Sequence, residues 1–155
     1  VPLVHVVKEI DLPPRMLTDK EYAKMKAEYE KLVKANSTNR ARMSQLKMFL
    51  NRYESPENVK PHRMKIHVIR LGDVAIATNP FELFTDYGIQ MKARSKALQT
   101  FVIQLVGPGR YLPTAEAVEA GGYSTDPIRS NSVGPEGGQV LVDRTVEEIN
   151  KLWKK

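Results

Sequence analysis

The sequence predicts an α/β protein: a mixed sheet with flanking helices, preceded by a helical hairpin, forming part of a larger fold. Three observations carry this expectation. Apolar residues recur at helical intervals up to about Tyr53, and a two-residue alternation of apolar side chains begins at about Met64. An apolar strand, a helix and another strand then follow in that order, which suggests a parallel crossover. The expected organisation is therefore residues 1–63 as an extended lead-in with a helical hairpin, and residues 64–155 as the α/β part.

Residues 1–17 read as extended, because Pro13-Pro14 disfavours helix before it. Thr18 or Asp19 caps a helix to about Ala35, and Glu21 stands three residues after Thr18 in the spacing of a capping box. Asn36 to Asn39 is a polar turn. A second helix runs from about Arg40 to Tyr53, with Met43, Leu46, Phe49 and Leu50 on one face. Met64, Ile66 and Val68 alternate as in a strand. Gly72-Asp73 reads as a two-residue turn into the apolar run Val74 to Thr78. Asn79-Pro80 then opens a helix reaching about Arg94, and Thr100 to Val106 forms a third strand. Thr114 caps a short helix over 115–120 that stops at Gly121, and a last helix spans about Glu136 to Lys154, with Val140, Leu141, Ile149 and Trp153 towards the core.

Composition narrows the function classes. The chain has 155 residues, 41% hydrophobic and 27% charged, enough for one real core and unlike a disordered or collagenous chain. No apolar run approaches the roughly 18 residues of a membrane span. With no cysteine, disulfides, thiolate metal sites and a cysteine nucleophile are excluded. The first residue is Val1 rather than Met and no leader pattern follows, so the chain is expected to be a piece of something longer. The net charge of +6 sits mostly in residues 1–63, which hold 13 Lys/Arg against 8 Asp/Glu. Basic and acidic residues alternate there as on a solvated helix face, so nucleic acid is not expected as a partner.

Chemistry is expected after the strands, where α/β folds gather ligands. In Asn79-Pro80-Phe81-Glu82, Glu82 falls at the third helical position and can cap back onto Asn79. Equally, its carboxylate can stay ionised at the helix terminus as a ligand for a metal ion. Gly107-Pro108-Gly109-Arg110 offers a tight turn and a cation but lacks the Lys-Ser/Thr ending of a phosphate loop. Tyr111 and Tyr123 lie twelve residues apart around the short helix, so both phenols either face one cavity or pack on the sheet. His5, His62 and His67 show no metal-ligand spacing and are expected at the surface or hydrogen-bonded. No Gly-x-Ser-x-Gly elbow or dinucleotide loop is present.

The ordered set Asn79-Pro80-Phe81-Glu82-Leu83-Phe84, Arg110-Tyr111-Leu112-Pro113-Thr114, Gly121-Gly122-Tyr123-Ser124 and Gly134-Pro135-Glu136-Gly137-Gly138 resembles the later part of the catalytic domain of neutral/alkaline non-lysosomal ceramidases and their bacterial relatives. The likeness covers roughly residues 64–153. It implies a zinc-dependent amide hydrolase acting on an N-acyl sphingoid or another amide. In that family zinc is held by two histidines, a glutamate and a tyrosine. By motif, Glu82 matches the glutamate ligand, Tyr111 the tyrosine ligand and Tyr123 a second, catalytic tyrosine beside the reacting carbonyl. The two histidines belong to the family's earlier part, which this chain lacks. The chain alone is therefore expected to bind zinc weakly and to be inactive, and to lean on its missing portion or on a second copy. Arg110 stands where ceramidases carry Gly, and Gly-Gly-Tyr-Ser replaces their tyrosine context, so the amide stays open. The resemblance also implies an extracellular or periplasmic location. The alternative is a non-catalytic structural or binding domain in which Glu82 caps a helix and both tyrosines pack.

Overall fold

The computed structural model describes residues 1–130 and 132–153. The chain forms two compact units, Val1–Arg15 with Pro61–Lys155, and Met16–Lys60.

The second unit is the helical hairpin, α1 (Asp19–Lys34) and α2 (Arg40–Glu54). The capping box forms as expected: the Thr18 hydroxyl accepts from the Glu21 amide at 3.2 Å, and the Glu21 carboxylate accepts from the Thr18 amide at 2.8 Å. Two contacts lock the helices antiparallel. Arg42 grips Glu28 through two 2.7 Å hydrogen bonds, and Tyr22 stacks on Tyr53 with ring centroids 4.2 Å apart. The bidentate guanidinium also holds the Glu28 carboxyl below its ordinary pKa. Met25, Leu46, Phe49 and Leu50 are buried.

The first unit is the sheet with its helices. β1 (Leu3–Leu12), β2 (His62–Leu71), β3 (Val74–Thr78) and β5 (Gln99–Ile103) lie in the order β1-β2-β3-β5. The first two pairings are antiparallel and β3 runs parallel to β5, so the sheet is mixed. The extended lead-in is thus a full strand. It joins the sheet across the hairpin, so lead-in and hairpin fall in different units rather than together in residues 1–63. Alternation sends Ile10, Leu12, Met64, Ile66, Val68, Ala75 and Ala77 to one buried face. The last helix, α5 (Pro135–Lys151), covers that face with Leu141, Val142, Val146 and Ile149. It begins with Pro135 at its first turn. The expected end at Lys154 lies outside the described residues. α4 (Ala115–Ala120) matches the expected short helix, with the Thr114 hydroxyl accepting from the Ala117 amide at 3.3 Å.

Two expectations are corrected. Asn79-Pro80 does not open a helix; α3 starts later, at Thr85, and runs to Arg94. Residues Glu82–Leu83 form a short strand, β4, paired in parallel with β6 (Tyr111–Leu112). The third sheet strand stops at Ile103 rather than Val106, because Leu105 turns into positive φ (61°). That turn lets the Leu105 and Val106 amides donate to the Phe81 and Asn79 carbonyls at 3.3 and 3.0 Å.

Tyr87 of α3 ties these pieces together. It is buried, and its hydroxyl donates to the Pro113 carbonyl at 2.9 Å and reaches the Pro135 carbonyl at 3.3 Å. Its ring lies so close to the first turn of α5 that a Cβ on Gly138 would overlap it. Gly134-Pro-Glu-Gly-Gly138 is therefore a packing motif. Burial, with Glu116, Glu136 and Asp86 nearby, pushes the Tyr87 pKa up to about 12.

Gly138→Ala should destabilise the protein by about 1–3 kcal/mol through overpacking. Gly88→Ala, which meets open space in α3, should stabilise it by about 0.5–1 kcal/mol. Urea melts of the two variants check both signs. Because the folded state holds the Tyr87 proton more tightly, its contribution to stability is complete below about pH 10 and lost as pH rises towards about 12. Tyr87→Phe should weaken the fold by about 1–3 kcal/mol at neutral pH and flatten that part of the alkaline slope.

Candidate functional site

The site is built on backbone rather than on a helix end. The Asn79 side-chain oxygen accepts from the Phe81 amide at 3.1 Å, a local turn that aims the chain into β4. The Asn79 amide donates to the Ile103 carbonyl at 2.9 Å, anchoring this turn at the end of β5. The Glu82 and Phe84 amides then donate to the Arg110 and Leu112 carbonyls at 3.1 and 3.2 Å, while the Gln104 side chain accepts from the Leu83 amide at 2.8 Å. Phe81 and Leu112 are buried on either side. The approach requires Gly109, since a Cβ there would overlap the Pro80 carbonyl. The glycine-rich loop is a close-approach device for β4 and β6, in place of a phosphate cradle.

In the resulting ladder Glu82 stands opposite Tyr111. Parallel neighbours in register share a face, and the neighbouring Glu82 carboxylate holds the Tyr111 phenol above its ordinary pKa. Burial and the Tyr123 neighbour act in the same direction, whereas the Arg129 charge acts against them. Tyr123 opens a 3-10 turn, Tyr123–Thr125, just after α4. Its ring meets Tyr111 edge to face, with centroids 6.0 Å apart and planes at 80°. Tyr123 remains 62% exposed, so the cluster opens to solvent.

All three residues singled out in the sequence are therefore brought together, and Glu82 does not cap a helix. Reading the sequence missed Arg129, whose guanidinium carbon lies 3.7 Å from the Tyr123 ring centroid. Its only local signal is a cation six residues beyond an aromatic across an Asp126-Pro127 turn, a pattern common on any surface. Arg110 is exposed. His62 packs its ring against Phe81 with centroids 5.8 Å apart, and burial lowers its pKa. Among the described residues no group of three His, Asp or Glu side chains is arranged to hold a metal, so the chain's own offer at this site is one carboxylate and one phenol. No described helix is long and apolar enough to cross a membrane.

No protein-family model matches the chain, and no curated protein matches it. Among solved structures the chain is similar to neutral ceramidase from Pseudomonas aeruginosa, with a TM-score of 0.46 and 18% identity. The alignment covers 60% of this chain and 16% of that one, so the chain spans less than a fifth of that protein's length. A likeness this distant assigns no residue a role.

The two opposing influences on Tyr111 can be separated. Glu82→Gln removes the neighbouring carboxylate and should bring the Tyr111 pKa down towards the ordinary tyrosine value. Arg129→Gln removes a stabilising cation and should raise it further. A pH titration of the Tyr111 ring Cζ resonance in labelled protein reads both directions.

Proposed function

We propose that this chain is the carboxyl-terminal portion of a zinc-dependent amide hydrolase of the neutral ceramidase kind. In this reading Glu82 and Tyr111 supply half of the metal's ligands and Tyr123 serves the reacting carbonyl. The observation that carries it is the in-register pairing of Glu82 with Tyr111, which sets a carboxylate and a phenol side by side on one open face. Both are oxygen donors. Carboxylate is an ordinary zinc ligand, and a phenol becomes one when a cation takes the place of its proton. The remaining ligands, two histidines by the resemblance, come from outside this chain.

The chemistry follows from those placements. When bound, zinc supplies a nucleophilic water at neutral pH and polarises the amide carbonyl. Hydrolysis adds the water oxygen to the carbonyl carbon, breaks the C–N bond and delivers a proton to the departing amine. Glu82 fixes the position of its partner through the in-register pairing of the two strands. Tyr111 would give up its own phenolic proton to solvent on taking a cation, so loading the site would liberate a proton. Tyr123, beside Tyr111 and open to solvent, presents its hydroxyl to the oxygen on which negative charge develops. A donor of this kind is worth about 3 kcal/mol. Arg129 packs its guanidinium over the Tyr123 ring. The substrate class is an N-acyl lipid or another amide. Phe101 and Ile103 lie exposed on the edge strand β5, which supports contact with the missing portion or a second copy.

Titration of the chain with zinc, followed at the Tyr111 Cζ resonance, tests the proposal. Two ligands are fewer than the three a catalytic zinc site needs, so binding should be weak, and the Tyr111 signal should move towards phenolate at lower pH than without zinc. Glu82→Gln should abolish the response. A Tyr111 signal indifferent to zinc, or equally responsive in Glu82→Gln, would leave the pair as a structural contact and the chain as a non-catalytic domain. In the complete enzyme, Tyr123→Phe should lower kcat about 100-fold or more with little change in KM.

A further inference from the structure

A second pair of metal-ligating side chains meets on the sheet, away from the strands that carry Glu82 and Tyr111. The β1–β2 register places His5 opposite Ile69 and Val7 opposite His67, so the two histidines are diagonal neighbours on the sheet face that α5 does not cover. Their rings lie 5.2 Å apart and within 20° of parallel, with His5 Nε2 3.0 Å from His67 Nδ1. Nothing in the sequence announces this, because the two are 62 residues apart and meet only through strand pairing.

Two imidazole nitrogens come this close only when a single proton lies between them, one ring donating its N–H to the other's lone pair. Moving that proton to the other nitrogen of the donor ring, a change of tautomer only, leaves two lone pairs about one edge of a coordination polyhedron. Two nitrogens 3.0 Å apart, each about 2.0–2.1 Å from a shared ion, subtend an angle of about 90–95° at it. That is the angle between adjacent ligands in square-planar or octahedral geometry, whereas a tetrahedral ion needs them about 3.3–3.4 Å apart. The other sides of the polyhedron face water, since His5 is exposed and His67 half-exposed. The charged groups on this part of the face, Glu9 and Lys65, face each other across the same two strands at 3.8 Å, leaving little net field to repel a cation. Thr78 of the adjacent β3 accepts the His67 backbone N–H at 3.3 Å, which steadies the strand at that point.

We infer that His5 and His67 form a two-imidazole binding site for a late first-row transition cation, Cu²⁺ ahead of Ni²⁺ and Zn²⁺, on the outer face of the β1–β2 pair. The order follows from the angle and from the general rise in affinity up to copper. The site stands on histidines alone and does not depend on the hydrolase reading.

The test is calorimetric titration of the full chain with CuCl2, NiCl2 and ZnCl2 near pH 7.5, with the copper complex examined by electron paramagnetic resonance. Copper should bind at one ion per chain, with two nitrogen donors in the spectrum and the tightest affinity of the three ions. His5→Ala and His67→Gln should each weaken copper binding about tenfold or more. His62→Ala and Glu82→Gln should leave it unchanged, which separates this site from the candidate zinc centre. His5 is exposed on the edge strand, so its variant should melt like the parent and remain informative even if a His67 variant folds poorly. Copper affinity unchanged in His5→Ala, or reduced equally in His62→Ala, overturns the assignment.

Discussion

A ladder of two residues on each side sets Glu82 beside Tyr111. Strands as short as β4 and β6 have no stability of their own. Theirs is borrowed from what lies on either side: buried Phe81 before Glu82, buried Leu112 after Tyr111, and a loop glycine that lets two backbones approach where any side chain would collide. Tyr87 completes the arrangement by holding the Pro113 carbonyl, directly after β6, to the start of α5. The position of the Tyr111 phenol is thus fixed by the packed core, although the phenol itself lies at the surface. A loose site on a loop would lose most of the benefit of two donors side by side, because their geometry would have to be restored each time a ligand arrived.

How much of this is legible in the sequence follows from how local each signal is. The Thr18–Glu21 box, the Gly72-Asp73 turn and the Thr114 cap are each specified within four residues, and all three form. The alternation at Met64, Ile66 and Val68 marks the buried face of β2 correctly for the same reason. Asn79-Pro80 fails because one local pattern serves two structures. An Asn that accepts from a nearby amide and a Pro with fixed φ suit a helix start and a turn into a strand equally well. What decides between them is a partner strand that follows only after α3, β5 and the Gly107–Gly109 loop. A two-residue strand also has no periodicity to read. The same non-locality hides the membership of β1 in the sheet, the meeting of His5 with His67, and the placing of Arg129 on Tyr123.

On the proposed reading, the proton and a metal ion would compete for one pair of groups. The Glu82 charge raises the Tyr111 pKa, and the Arg129 charge partly offsets this. The carboxylate that would attract a cation is therefore the group that disfavours loss of the phenol's proton without one. Such a pair binds metal only when a cation outcompetes the proton, so occupancy must fall as the solution becomes more acidic. Arg129 works in two directions here. Its charge eases ionisation of Tyr111, yet the same charge would repel an incoming cation.

The two sides of the sheet differ: one is packed and the other is open. α5 seals one face, where small residues such as Ala75 and Ala77 leave room for the helix to sit close. The other face carries the histidine pair together with two cross-strand ion pairs along the β1 edge, Arg63–Asp11 at 2.9 Å and Lys65–Glu9 at 3.8 Å. Exposed pairs of this kind contribute little to folding. Their effect at an edge strand is to make a further strand costly to add, because its polar backbone would have to dock among charges that prefer water. β5, the opposite edge, has no such guard over Phe101 and Ile103. Charge thus protects the edge that carries the histidines, and the edge that leads into the Glu82–Tyr111 ladder is the one left open to extension by more protein.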